Sequence, residues 1–83
     1  MKISVRYFAA LREALGAEES VQLVSGSTLG GLRDQLIATS QRHAAALRRG
    51  RLLRCALNQV LSDESAVLDD GAEVAFFPPV TGG

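Results

Sequence analysis

The chain has 83 residues, 47% of them hydrophobic, with nine Lys plus Arg balancing nine Asp plus Glu and a single cysteine. A chain of this length buries only about 60 to 65% of its unfolded surface, which suits one modest core and excludes two domains or a deep enclosed active site. The lone cysteine excludes an internal disulfide framework and a cysteine zinc site, and no apolar run approaches the roughly 18 residues of a membrane span.

Lys2-Ile3-Ser4-Val5-Arg6-Tyr7 alternates strictly, with Ile3, Val5 and Tyr7 on one face, so the first element is a half-buried strand. Met1-Lys2 runs straight into it without the apolar stretch of a secretory signal, so a cytoplasmic protein is expected. Phe8 falls on the polar side of the alternation. Leu11 and Leu15, four apart and followed by Gly16, predict one or two helical turns. In Ser20-Val21-Gln22-Leu23-Val24 the apolar Val21 and Leu23 share a face of a second strand.

Ser25-Gly26-Ser27-Thr28 supplies turn chemistry and a helix cap, with Ser27 the expected capping residue. Leu29, Leu32, Leu36 and Ile37 then predict a helix from about Thr28 to Thr39 that lays one apolar stripe on the sheet. Gly30 and Gly31 cost it up to roughly 1 kcal/mol each relative to alanine, which close packing on the strands would justify. Ala44, Ala45 and Leu47 followed by Arg48, Arg49 and Gly50 read as a second short helical piece with a basic end.

Leu52 to Asn58 is a strand, with Leu53, Cys55 and Leu57 facing one way and Arg54, Ala56 and Asn58 the other. Val60 to Leu68 predicts a turn with short extended pieces, ending at the Asp69-Asp70-Gly71 turn. The last strand is Glu73 to Phe77, where Pro78-Pro79 stops the ladder. The order predicts an α+β sandwich, one helix layer on one sheet, in a domain over 1–77 with a tail over 78–83.

Zero net charge hides a segregation. Residues 35–62 hold Arg42, Arg48, Arg49, Arg51 and Arg54 with no acid, and residues 63–83 hold Asp63, Glu64, Asp69, Asp70 and Glu73 with no base. The four aromatics lie outside the basic segment, so a solvated helix end is favoured over a nucleic-acid surface. Cys55 alternates with Leu53 and Leu57 and reads as a small core hydrophobe. His43 has no second imidazole or carboxylate at ligand spacing and reads as a solvated helix residue; no metal site is expected. Asp63-Glu64 and Asp69-Asp70 sit in turn chemistry rather than as an acid/base dyad.

The end of the chain is different. Val74-Ala75-Phe76-Phe77-Pro78-Pro79-Val80-Thr81-Gly82-Gly83 runs apolar to the last residues, with two prolines favouring extended geometry and a tip of two glycines. The six residues from Pro78 to Gly83 span about 20 Å when extended, and glycines without Cβ atoms can thread a channel too narrow for any other residue.

With that tail, Phe8-Ala9-Ala10-Leu11-Arg12-Glu13 after the first strand, Asn58-Gln59 after the middle strand and Asp70-Gly71-Ala72-Glu73-Val74 before the last, the chain resembles the small-subunit family of molybdopterin synthase (MoaD). These are ubiquitin-like sulfur carriers of the β-grasp fold. The resemblance implies a mixed sheet packed on one main helix, with short extra helical turns and an extended C-terminal tail. It implies that an E1-like enzyme uses ATP to adenylate Gly83, that a sulfur-donor system converts the adenylate to a thiocarboxylate, and that no cofactor stays bound. Residues Pro78, Pro79, Val80, Thr81 and Gly82 would thread into the large synthase subunit, where sulfur passes to cyclic pyranopterin monophosphate. The family's partner contacts match Phe8, Arg12, Leu61 and Phe77, and the implied assembly is a heterotetramer of two small and two large subunits. A carboxyl terminus with a pKa near 3.3 to 3.7 is an anion and a poor electrophile at neutral pH, which is why activation is required. A thiamine-pathway sulfur carrier and a protein modifier using the same terminal glycine are the alternatives; the Phe-Phe-Pro-Pro segment favours the molybdopterin reading.

Overall fold

Strand β1 (Lys2–Tyr7) leads through a short helix α1 (Ala10–Leu15) to β2 (Glu18–Gln22). Two helices follow, α2 (Leu29–Thr39) and α3 (Gln41–Leu47), then β3 (Arg54–Leu57), β4 (Val60–Ser62) and β5 (Glu73–Phe77). The computed structural model describes residues 1–79; Val80, Thr81, Gly82 and Gly83 lie outside the described residues.

The sheet order is β2-β1-β5-β3-β4. β1 and β5 pair in parallel while the other neighbours are antiparallel, so the sheet is mixed as expected. A parallel pairing of the first and last strands requires a crossover, and the helices supply it over one face. That face carries the core. Ile3, Val5, Tyr7, Val74 and Phe76 are all at most 1% exposed, packed with Leu29, Leu32, Leu36 and Leu47 from the helices. Each such side chain contributes about 1.5 to 3 kcal/mol relative to remaining in water. The Tyr7 and Phe76 rings stack at 6.4 Å between centroids on the adjacent strands β1 and β5.

Local chemistry sets the turns. Asn58 and Gln59 form a two-residue hairpin loop with φ of 50° and 70°, the pair of positive angles that matches the twist of flanking strands. Asn58 Oδ1 accepts the Glu73 backbone N–H at 3.0 Å, which ties this loop to the start of β5. Before β5, Gly71 adopts φ +84° and donates its N–H to the Lys2 carbonyl, while Asp70 Oδ1 accepts the Lys2 N–H at 2.8 Å.

Several expectations shift. β2 begins at Glu18 and ends at Gln22 rather than spanning Ser20 to Val24, because the polar Glu18 and Glu19 pair through their backbones with Arg6 and Val5. Leu23 still reaches the core and donates its N–H to the Met1 carbonyl. The cap of α2 is Thr28, whose Oγ1 accepts the Gly31 N–H at 3.1 Å; the Ser27 hydroxyl donates instead to the Val24 carbonyl. β3 covers only Arg54–Leu57. Gly30 packs not on a strand but on the segment after β4, where a Cβ would lie 3.1 to 3.3 Å from Glu64 atoms. Ser40 closes α2 and caps α3, its Oγ accepting the His43 N–H.

Candidate functional site

The face of the sheet opposite the helices is bare, and strand register determines what it presents. Residues paired across strands share a face, so Arg6, Ala75, Ala56 and Leu61 form one row across β1, β5, β3 and β4. Phe77 pairs with Arg54, and Phe8, which donates its N–H to the Phe76 carbonyl, extends that neighbouring row at the end of the sheet. The two alanines in the middle of the first row, Ala75 and Ala56, are half-buried.

The alternation of β5 is therefore decisive. Phe76 is 1% exposed in the core while Phe77 is half-buried on the open side, and the chain leaves β5 from there through the half-buried Pro78 and Pro79. Phe8 is 39% exposed, with the Arg6 guanidinium 5.5 Å from its ring centroid, and Leu61 is 59% exposed. Ala9, immediately after Phe8, holds φ 54°, a left-handed value that costs a non-glycine residue about 1 to 3 kcal/mol. It turns the chain from β1 into α1, where Arg12 is exposed one helical turn past Phe8. Phe8, Phe77 and Leu61 thus share the open face, with Arg12 on the adjoining helix. Val80, Thr81, Gly82 and Gly83 lie outside the described residues.

Two arginines, Arg33 on α2 and Arg49 in the basic segment, prove to be structural. Arg33, only 4% exposed, donates from Nε to the Leu47 carbonyl, from Nη1 to Glu64 Oε2 and from Nη2 to the Arg48 and Arg51 carbonyls, at 2.7 to 3.0 Å. Arg49 pairs with Asp34 and Glu64. The expectation of a merely solvated helix end fails for Arg49, which anchors the loop after α3 to α2 and to the segment after β4. Burial alone would raise the Glu64 pKa, but the hydrogen bonds from Arg49 and Arg33 outweigh it and hold the carboxyl below its ordinary value. Asp63 is likewise lowered, by hydrogen bonds from the Ser65 hydroxyl and backbone N–H.

His43 also departs from the solvated reading. Its Nε2 lies 2.8 Å from Glu19 Oε2, its Nδ1 lies 2.7 Å from Ser40 Oγ, and the Tyr7 hydroxyl donates to the same Glu19 oxygen at 2.7 Å. Burial, followed by that hydrogen bond, drives the phenol pKa above its ordinary range. This chain of contacts fastens α3 to β1 and β2. Cys55 is 7% exposed in the core as expected; burial raises its thiol pKa, and Sγ donates to the Ser62 carbonyl. Its place in the core, with the thiol committed to a backbone carbonyl, is that of a packing residue. Among the described residues no cluster of three or more His, Cys, Asp or Glu could hold a metal ion, and no helix is long and apolar enough to cross a membrane.

The ThiS family model matches residues 5–83. The molybdopterin synthase sulfur carrier subunit of Escherichia coli (strain K12) is 46% identical over 81 residues, covering 98% of this chain and 99% of that protein. The chain belongs to the ThiS family. Among solved structures, the β-grasp protein SAMP1 from Haloferax volcanii superposes with a TM-score of 0.81 at 25% identity, covering 100% of both chains. The Helicobacter pylori complex of subunits 1 and 2 of molybdopterin-converting factor contains a chain that matches with a TM-score of 0.70 at 27% identity, again over 100% of both. The ThiS-family fold thus presents the open face and the exit of β5 on a ubiquitin-like β-grasp scaffold, as the tail motif implied.

Proposed function

We propose that this chain is the sulfur carrier of molybdopterin synthase, with residues 1–77 as the docking domain and 78–83 as the arm that delivers sulfur. The observation that carries the reading is the placement of Phe8, Phe77 and Leu61 on the one sheet face without helices, at the exit of β5 toward Pro78-Pro79. An apolar surface beside a threading arm suits a partner that must receive the end of that arm. The curated relatives across the full length of the chain support the same reading.

The chemistry runs through the carbonyl carbon of Gly83. An E1-like enzyme transfers AMP from ATP to the carboxylate, releasing pyrophosphate and making the carbonyl electrophilic. A persulfide of the donor system then attacks the carbonyl, AMP leaves as the C–S bond forms, and a thiol reductant cleaves the S–S bond of the resulting acyl disulfide, leaving a glycyl thiocarboxylate and a disulfide on the donor side. Inside the large subunit the sulfur passes to cyclic pyranopterin monophosphate and water restores the carboxylate, with Pro78, Pro79, Val80, Thr81 and Gly82 spanning the approach. Phe8, Arg12, Leu61 and Phe77 hold the large subunit, in a cytoplasmic assembly of two small and two large chains. The carrier is a cosubstrate; the groups that activate and transfer reside on its partners, and no cofactor, nucleic acid or membrane takes part on this chain.

Likeness to a small archaeal modifier protein keeps a second outcome in view, since the same adenylate could be captured by a lysine amine. Intact-mass analysis after incubation with the cognate E1-like enzyme, ATP and a sulfur source tests the first step, and assays with candidate acceptors test the second. Exchange of one oxygen for sulfur followed by pterin sulfuration is expected. Thiazole sulfuration alone would move the chain to the thiamine branch, and isopeptide products alone would make it a modifier.

A further inference from the structure

Arg54 is a charge on the open face that forms no ion pair among the described residues; Lys2 and Glu18 share that property on β1 and β2, and Arg54 is the one set beside Phe77. It is exposed, sits directly across from Phe77 on the neighbouring strand and lies diagonal to Leu61. Among the described residues it forms no ion pair, whereas Arg6 on the same face has Glu73 at 3.9 Å and the Phe8 ring beneath it. The nearby acids are committed elsewhere. Asp63, which follows the Cys55-paired Ser62 and so continues the strand opposite Arg54, is held in its own turn by the Ser65 N–H at 2.9 Å and the Ser65 hydroxyl. Glu64 is taken by Arg33 and Arg49.

Arg54 also lines a groove of about 640 Å³ at the open end of the β3–β4 hairpin, whose walls include Leu52, Leu53 and Leu61 and, on the far strand, Asp63 and Glu64, the two acids already held by Ser65 and by Arg33 and Arg49. Any partner that covers Phe77 and Leu61 removes this guanidinium from water. Desolvating an unpaired cation is strongly unfavourable, so such a partner must offer an acceptor, and the planar fork of arginine fits a carboxylate through two parallel hydrogen bonds.

We infer that Arg54 is the electrostatic anchor of this face and that the large subunit seats a carboxylate side chain against it, with aliphatic groups beside that carboxylate entering the hairpin groove. The inference rests on the reading of the open face as the large-subunit interface. It adds a selective element to that face: phenylalanine and leucine contacts tolerate many apolar partners, while a central cation rejects a partner that presents a cation or nothing at that point.

Titration of the purified large subunit with the full-length chain, at low and at physiological salt, tests it. Arg54→Ala is expected to weaken binding about tenfold or more, Arg54→Glu to weaken it further, and Arg54→Lys to recover part of the loss. The salt dependence of binding should be shallower for Arg54→Ala than for the unsubstituted chain. Thermal melts should be unchanged, since Arg54 has no partner to lose. Binding by Arg54→Glu within twofold of the unsubstituted chain at low salt would overturn the anchor while leaving the functional reading in place. Failure of the unsubstituted chain to bind would overturn the functional reading and the anchor together.

Discussion

Arg33 and Arg54 mark the two sides of the sheet. On the helix-covered side Arg33 is buried, and its guanidinium is satisfied by three carbonyls and Glu64, so the charge serves to join α2, the loop after α3 and the segment after β4. On the open side Arg54 is exposed and unpaired between Phe77 and Leu61. The aromatic pair repeats the contrast one strand away, with Phe76 in the core and Phe77 outside it. Side chains of the same type are thus committed to folding on one face and left uncovered on the other.

The sharpest way to break this contrast is to place a carboxylate on each side. Phe76→Asp should unfold the domain, because an unpaired carboxylate replaces a fully buried ring and typical small-domain stability is only about 5 to 15 kcal/mol. Phe77→Asp should melt close to the unsubstituted chain and lose about 2 kcal/mol or more of large-subunit binding. Melts and titrations that reverse the two signatures would show that the face assignment is inverted.

Arg33→Ala comes next in expected size. It strips four hydrogen bonds and leaves three carbonyls to find other partners, a loss of about 3 kcal/mol in denaturant unfolding with sulfur loading otherwise retained. Cys55→Ala should be milder, about 1 kcal/mol of stability, with thiocarboxylate formation intact as judged by mass. Loss of sulfuration in that variant would make the cysteine a participant. The smallest effect is a pH dependence. The folded-state pKa of Glu64 is depressed, so the stability it contributes is present above the ordinary glutamate range and is lost as pH falls through the lower folded value. Acid unfolding of Glu64→Gln should therefore begin from a lower plateau and fall less steeply; an unchanged acid limb would show that the clamp has no role in stability.

The two sides were unequally legible in the sequence. Period-2 alternation located β1 at Lys2–Tyr7 and β5 at Glu73–Phe77, and with them the outward placement of Phe8 and Phe77, because strand geometry ties face to parity. Leucine spacing located α2 for the same reason. The long-range polar contacts left no such trace. Arg33 looks like any helical arginine, and its Glu64 partner lies 31 residues on. His43 and Glu19, 24 residues apart, meet only because α3 packs beside β2. The short β4 was masked by the polar residues that follow it, and Arg54 acquires its meaning only from the register that sets it beside Phe77. Gly30 hinted at a close approach, expected to be to the strands; the neighbour is instead Glu64, in the same cluster that holds Arg33 and Arg49.

The division between a folding face and a delivering end is tested most directly by removing Gly83 alone. Sulfur transfer to the pterin precursor, measured with E1-like enzyme, ATP, sulfur source and large subunit, should be abolished, because the reacting carbonyl would be withdrawn by one residue, about 3.5 Å, from its partners' catalytic groups. The thermal melt should not move, since none of the core residues described above depends on that position. Full sulfur transfer by the shortened chain would contradict the account.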